Sequence, residues 1–186
     1  MDWKSAFDRG LLYHDFLERH GTETHRRRWQ AIYDRVTLTP AQRALVAGFS
    51  RQMYLLCLAG TWCGDCVREG AILQRIAEAS PRIGLRFLDR EANPELARAL
   101  SINRGLRIPM VVFLSEDFAE CARYGERTLA TYRKMAVEGL GPACPAGIVP
   151  PGEEYLATVA QEWLNEIERV QLMLRLSPRL RQVHGD

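Results

Sequence analysis

The chain has 186 residues, with 25 Lys and Arg against 23 Asp and Glu, and therefore a formal net charge of +2. A chain of this length is typical of one domain with additions, and it can bury about 70% of its unfolded surface without a metal or disulfide staple. The nearly balanced charge gives no electrostatic case for nucleic acid or an anionic membrane as a partner, and 47% apolar residues argue against disorder.

The first 50 residues are predicted to be helical. Apolar side chains recur at helical spacing in three stretches, which begin near Trp3, Trp29 and Pro40. The first stretch is predicted to be one continuous helix that ends at Gly21. The basic run at 26–28 is interpreted as a solvated helix face rather than as an anion-binding patch.

A buried sheet is predicted to follow. Residues 53–59 are apolar throughout and precede Gly60, which is typical of a strand buried on both faces. Helical spacing runs from 63 to about 79, and residues 83–87 alternate as a second strand. Because this strand–helix–strand unit requires a crossover connection, the two strands are predicted to be parallel.

The second half of the sheet is predicted to be antiparallel. Asn93-Pro94 opens a short helix, after which residues 111–114 and 119–124 form a hairpin, and residues 128–138 are helical. The fold class is therefore α/β, with a central mixed sheet of about four strands flanked by helices.

The C-terminal part is predicted to contain a turn-rich loop at 139–152 and a long amphipathic helix at about 153–176, after which Ser177-Pro178 begins a short polar tail. The apolar stripe of that helix fits either a cap on the core or a homodimer interface. We divide the single domain into a helical extension (1–50), a core (51–140), and a proline-rich loop with the C-terminal helix packing on the core (141–186).

Two cysteines stand where the buried strand gives way to a helix, in the sequence Cys63-Gly64-Asp65-Cys66. Residues three apart on a helix lie about 5–6 Å apart, which suits a disulfide. The free N–H groups and the dipole of the helix start favour a thiolate at Cys63, and Cys66, one turn deeper, could attack a mixed disulfide. Trp62 would shield one side of the sulfur. The pattern predicts redox chemistry.

A structural zinc site is the weaker interpretation of the pair, and we expect no metal. The sequence has no second C-x-x-C, so that further ligands would have to come from scattered residues. The other cysteines are Cys57 and Cys121, expected to be small buried hydrophobes, and Cys144, expected to be exposed in the loop with either a redox role or none.

Residues 53–130 resemble the thioredoxin family. The family motifs occur in order at TWCGDC (61–66), LDREANPELA (88–97), INRGLRIPMVVF (102–113) and RYGERTL (123–129). The first of these is similar to the family's W-C-G-P-C. The whole chain is similar to bacterial members of the family that carry added terminal helices.

This resemblance implies a thiol–disulfide oxidoreductase that works as a disulfide reductase. Cys63 would be the attacking cysteine and Cys66 the resolving one. Pro109 would follow a cis peptide bond and pack opposite the disulfide, which would expose the backbone of Ile108 to a substrate strand, while Trp62 would flank the site.

Two residues depart from the family pattern. Asp65 replaces the proline between the cysteines. Its charge is expected to raise the thiol pKa and make the protein a better reductant, although an acidic residue also favours a helix start on its own account. Cys57 stands where the family carries a buried carboxylate. We hypothesise that Asp65 or water takes over proton transfer there.

The remaining expectations concern location and partners. The N-terminus MDWKSAFDRG carries charges where a signal peptide needs an apolar core, so we expect a cytoplasmic protein without a membrane span. No glycine-rich dinucleotide motif is present, so we expect no cofactor, and NADPH would act through a separate reductase as electron donor. The substrate would be a protein or small-molecule disulfide. The alternative is a redox-sensing or client-binding module without turnover.

Overall fold

The computed structural model describes residues 1–140 and 154–185. The predicted loop at 139–152, including Cys144, therefore lies largely outside the described residues. Within the described ranges the helices are α1 (Trp3–Arg9), α2 (Tyr13–His20), α3 (Glu23–Tyr33), α4 (Pro40–Ala47), α5 (Gly64–Glu78), α6 (Pro94–Ala99), α7 (Leu129–Leu140), α8 (Tyr155–Leu176) and α9 (Pro178–His184). The strands are β1 (Met53–Ala59), β2 (Ile83–Asp89), β3 (Met110–Leu114) and β4 (Glu120–Gly125).

The strands form one mixed sheet in the order β2-β1-β3-β4. Strand β1 pairs in parallel with β2, with Met53 opposite Ile83, and antiparallel with β3, with Leu58 opposite Met110. The β3–β4 pair is antiparallel and carries a register shift near Phe113. This arrangement confirms the predicted fold class. It also places the two cysteines just beyond the carboxyl end of β1, one of the two inner strands.

The N-terminal segment contains two helices where one continuous helix was predicted. Helix α1 ends at Arg9, before Gly10, and Leu11 pairs with Phe87 of β2 through two backbone hydrogen bonds, each 2.8 Å long. A Cβ on Gly10 would lie 2.6 Å from the Cβ of Arg86, so that glycine permits this close approach to the sheet. Helix periodicity is therefore interrupted by pairing with the edge strand.

Aromatic side chains join the N-terminal helices to the sheet and to α5. Phe87 is fully buried and contacts the rings of Tyr13, Phe16 and Trp29. Helix α3 packs against α5, where a Cβ on Gly70 would lie 2.3 Å from the indole of Trp29. The extension thus shares the hydrophobic core of the sheet.

The C-terminal segment continues beyond Ser177 as a helix, so the predicted polar tail is wrong. Ser177 accepts a hydrogen bond from the backbone N–H of Leu180, and Pro178 occupies the first position of α9. A serine followed by proline starts a helix as readily as it stops one. None of the described helices is both long enough and apolar enough to cross a bilayer.

Candidate active site

The two cysteines lie at the start of α5. Cys63 is the N-cap residue, and the backbone N–H of Cys66 points at its Sγ over 3.5 Å. Cys63 is half-buried, whereas Cys66 is fully buried. Both are free thiols. One sulfur therefore faces the outside while its partner is held one helical turn deeper.

The two thiols differ strongly in acidity. A hydrogen bond from the Cys66 thiol, together with the backbone N–H groups of Cys66 and Asp65, lowers the pKa of Cys63 to about 6, against an opposing effect of burial. Burial raises the pKa of Cys66, and the neighbouring Cys63 sulfur raises it further. Near neutral pH the pair thus combines a Cys63 thiolate with a buried Cys66 thiol. In disulfide exchange the thiolate attacks the substrate first, and the buried thiol attacks the resulting mixed disulfide.

The prediction that the charge of Asp65 raises the pKa of Cys63 has the right direction, but the effect is smaller than those of the hydrogen bonds and of burial, so that the pKa of Cys63 is lowered overall. The charge of Asp65 is balanced by ion pairs with Arg68 and Arg127, each at 2.8 Å. The hydrogen bonds to the Cys63 sulfur outweigh the remaining repulsion.

The segment Ile108-Pro109 lies beside the cysteines. The Cys63 sulfur is 3.8 Å from the carbonyl oxygen of Ile108, and the peptide bond that joins Ile108 to Pro109 is cis. A Cβ on Gly125 would lie 2.3 Å from the carbonyl oxygen of Pro109, so β4 packs directly against this segment. The structure thus brings the Ile108 backbone next to Cys63, although the Ile108 side chain is buried.

Trp62 and Gly64 flank Cys63 in different ways. Trp62 is 43% exposed, and the guanidinium of Arg90 lies 4.8 Å from the centre of its ring. The indole lies across Gly60, where a Cβ would approach it to 3.0 Å. Gly64 is exposed, and the guanidinium of Arg28 lies 3.8 Å from the position that a Cβ would take there. An aromatic side chain and an exposed glycine therefore lie on either side of Cys63 along the chain.

A buried carboxylate that the sequence analysis missed lies on α5. Glu69 is fully buried, accepts a hydrogen bond from the indole N–H of Trp163, and pairs with Arg68 at 3.0 Å. Burial raises the pKa of Glu69 to about 7, and its charge is among the causes that raise the pKa of the buried Cys57 thiol. The available signal was the spacing of Glu69 from Cys66, which places both on one face of the helix.

The loop before Cys63 is anchored by the N-terminal helices, a second feature that the sequence analysis missed. The carbonyl oxygen of Thr61 accepts a hydrogen bond of 2.9 Å from the indole N–H of Trp29. The Thr61 hydroxyl donates to the carbonyl oxygen of His20, also over 2.9 Å. Side chains of the helical extension therefore help to position the reactive cysteine.

The remaining cysteines are distributed as follows. Cys57 is fully buried as expected, whereas Cys121 is half-buried, because it lies on the edge strand β4. Cys144 lies outside the described residues. Within residues 1–140 and 154–185, no three His, Cys, Asp or Glu side chains come together as potential metal ligands. In that part of the chain, nothing supports the zinc interpretation of the Cys63–Cys66 pair.

Comparison with known proteins places the chain in a family. The model of the thioredoxin family matches residues 10–137, well over half of the chain. The chain belongs to the thioredoxin family, and this membership indicates thiol–disulfide redox chemistry in general terms.

Individual relatives agree with this assignment. The protein named "Putative thioredoxin 2" of Streptomyces coelicolor is 38% identical over 64 residues, which are 34% of this chain and 46% of that relative. The chain thus spans less than half of the length of this curated relative.

Two solved structures share the fold over nearly the whole chain. A protein of unknown function from Pseudomonas aeruginosa has a TM-score of 0.68 at 23% identity, covering 91% of this chain and 96% of the other. An HIV epitope-scaffold has a TM-score of 0.61 at 23% identity, covering 100% and 99%. Both matches therefore extend well beyond the central sheet.

Proposed function

We propose that the protein is a cytoplasmic thiol–disulfide oxidoreductase that reduces disulfides with the Cys63/Cys66 dithiol. One observation carries the proposal: the half-buried Cys63 sulfur, whose pKa is lowered to about 6, accepts a hydrogen bond of 3.5 Å from the backbone N–H of Cys66, and the Cys66 thiol is itself fully buried. A thiolate that is accessible and backed by a second thiol is the arrangement that disulfide exchange requires.

The reaction proceeds in two exchanges. The Cys63 thiolate attacks one sulfur of the substrate disulfide, which forms a mixed disulfide and releases the first substrate thiolate. Cys66 then loses its proton and attacks the Cys63 sulfur, which releases the second substrate thiolate and leaves a Cys63–Cys66 disulfide. The two thiolates take up the two protons that the protein dithiol has lost, so two electrons pass from protein to substrate.

The surroundings of Cys63 suit a disulfide substrate. The Ile108 carbonyl, 3.8 Å from the Cys63 sulfur, lies where the backbone of a bound peptide could pair with this segment. Trp62 offers an exposed apolar surface on the other side. We propose a protein or small-molecule disulfide as substrate and a separate reductase as the electron donor that restores the dithiol.

Two effects act in opposite directions on the reduction potential. The lowered pKa of Cys63 stabilises the reduced dithiol and makes the pair more oxidising. The raised pKa of Cys66 disfavours the thiolate at that residue and therefore makes the pair more reducing. The proposed direction, towards reduction of substrates, rests on the expected cytoplasmic location, where the glutathione pool keeps thiols reduced.

A glutathione redox titration tests the proposal. Wild type, Cys66→Ser and the control Cys121→Ser are equilibrated at defined glutathione ratios, alkylated and analysed by mass spectrometry. We expect a reversible Cys63–Cys66 pair in wild type and Cys121→Ser, at a potential below that of the glutathione pool, and a stable Cys63–glutathione adduct in Cys66→Ser. A pair that does not oxidise reversibly would overturn the proposal.

Turnover distinguishes the alternative function. An oxidoreductase consumes many equivalents of disulfide when dithiothreitol restores its dithiol, whereas a redox sensor or client-binding module stops after a single oxidation. Multiple turnovers with an insulin disulfide substrate would support the enzyme, and a single turnover would support the sensor.

A further inference from the structure

A cavity of about 890 Å³ opens beside the cysteines, between α3, the first turn of α5 and the first turn of α8. This volume lies in the range of small-molecule sites, about 300–1,000 Å³. Gly64 and Val67 form part of its wall, so the cavity begins at the residue that directly follows Cys63.

The polar part of the cavity is positively charged. Its lining contains Arg28, Arg35 and Arg68 against the single carboxylate of Glu154, as far as the described residues show. Arg68 is already paired with Asp65. Arg28 and Arg35 form no ion pair with any carboxylate among residues 1–140 and 154–185, so their charges are available to a ligand.

Arg28 differs from the other arginines of its run. Arg26 and Arg27 both pair with Glu23, at 3.3 Å and 2.8 Å, on the solvated face of α3. The guanidinium of Arg28 instead lies 3.8 Å from the position that a Cβ would take on Gly64. Arg28 is exposed, as predicted for a solvated helix face, and its guanidinium in addition lies near the start of the active-site helix.

The rest of the cavity is largely apolar, with the polar side chains of Thr37, Thr39 and Tyr155 among its lining. Ile32 and Val36 line it on the side of α3, and Leu156 and Ala160 line it on the side of α8. A ligand that fits this cavity has acidic groups that pair with Arg28 and Arg35, and an apolar or neutral part that contacts the apolar side chains. Cys63 itself does not line the cavity, so the reacting atom of the ligand would have to extend past Gly64 to reach the Cys63 sulfur.

We propose that this cavity binds a small disulfide that carries carboxylates and presents it to Cys63. The inference rests on the proposed function and names its substrate class. The Cys63 thiolate attacks the near sulfur and releases one acidic thiol, and Cys66 then releases the second, so that one disulfide and two protein thiols become two small thiols and one protein disulfide.

Single-turnover oxidation of the reduced protein tests the proposal. Second-order rate constants are measured for glutathione disulfide, which is anionic, and for bis(2-hydroxyethyl) disulfide, which is neutral. In R28Q/R35Q we expect the anionic-to-neutral ratio of rate constants to fall at least fivefold. The matched control R82Q/R98Q removes two charges from exposed arginines outside the cavity and should keep the wild-type ratio.

A second variant tests the same cavity from α8 instead of α3. Ala157 is exposed on α8 and lines the cavity. A157E adds a negative charge there and should lower the same ratio. Binding of glutathione disulfide to C63S/C66S protein, measured by calorimetry, should weaken at least fivefold on adding R28Q/R35Q, which separates binding from chemistry.

The outcomes separate the two proposals. If wild type oxidises with both disulfides but the ratio is the same in R28Q/R35Q and A157E as in wild type, the cavity is not the binding site and the proposed function stands. If wild type reacts reversibly with neither disulfide, the proposed function fails, and calorimetry on C63S/C66S still decides whether the cavity binds the anion.

Discussion

At the scale of single residues, the reactivity of the site depends on what donates hydrogen bonds to one sulfur. The Cys66 thiol is the largest cause of the low pKa of Cys63, and backbone N–H groups at the helix start act in the same direction. Asp65, between the cysteines, has little net influence on the pKa of Cys63, because its carboxylate forms ion pairs with Arg68 and Arg127.

Removing the Cys66 thiol should therefore make Cys63 less acidic. A hydrogen bond to a charged group is worth about 1.5–3 kcal/mol, so we expect Cys66→Ala to raise the pKa of Cys63 by roughly one to two units. The pH dependence of alkylation by iodoacetamide measures this. Cys121→Ser is the control, and an unchanged profile in Cys66→Ala would assign the acidity to the helix start alone.

Asp65→Ala should have the opposite effect on the pKa of Cys63. Loss of the carboxylate removes a repulsive charge and one ion-pair partner each of Arg68 and Arg127, so the pKa of Cys63 is expected to fall and the pair to become easier to reduce. Redox titration and exchange rates measure both quantities. If neither changes, the idea that Asp65 tunes the site or transfers its proton is wrong.

The buried carboxyl of Glu69 should make stability depend on pH. Its pKa is about 7 in the folded protein, against an ordinary value of 4.5, so the folded state binds the proton more tightly than the unfolded state does. Its contribution is present below pH 4.5 and is lost as pH rises through 7. The loss amounts to roughly 3 kcal/mol.

Glu69→Gln is the variant that measures this effect. The difference in unfolding free energy between Glu69→Gln and wild type should shift in favour of the variant as pH rises from 5 to 8, as measured by urea denaturation. Glu138→Gln, an exposed change, serves as the control. A difference that is constant with pH would show that Glu69 stays ionised.

At the scale of elements, the packing of α3 on α5 leaves no space for a methyl group. Gly70→Ala would bring a Cβ to 2.3 Å from the Trp29 indole, so we expect it to destabilise the protein by about 1–3 kcal/mol. Gly139→Ala is the matched control. It lies on α7 with nothing within 4 Å of the added Cβ, and should be neutral or stabilising. Equal effects of both in urea denaturation would contradict this packing.

The elements that the sequence analysis predicted well are those whose pattern depends on local sequence. The apolar run of β1 predicts a buried strand, and Thr39 followed by Pro40 predicts the start of α4. Neither prediction depends on residues that are distant in sequence. The break at Gly10 could not be predicted, because Leu11 continues the helical spacing and leaves the helix to pair with Phe87, which is distant in sequence. Glu69 was missed for the same reason: its burial depends on Trp163 of α8.

At the scale of the whole molecule, both terminal segments contribute to the core around α5. Deleting residues 1–38 would remove Trp29 and uncover Phe87, both fully buried. We expect the remaining chain to lose cooperative unfolding. Deleting residues 178–186 removes one buried side chain, Leu180, and should lower stability without abolishing folding. Thermal unfolding followed by circular dichroism compares the two, and a stable shorter chain after the first deletion would show that the central sheet folds alone.

The hydrogen bond from Trp29 to the Thr61 carbonyl has a consequence for linkage between distant parts of the chain. Because the helical extension holds the loop that carries Cys63, any change in that loop on oxidation must alter the local stability of α3. By reciprocity, loosening of α3 must shift the redox equilibrium by the same free energy. A macromolecule that binds the N-terminal helices would thereby shift the reduction potential of the Cys63–Cys66 disulfide without contacting either cysteine.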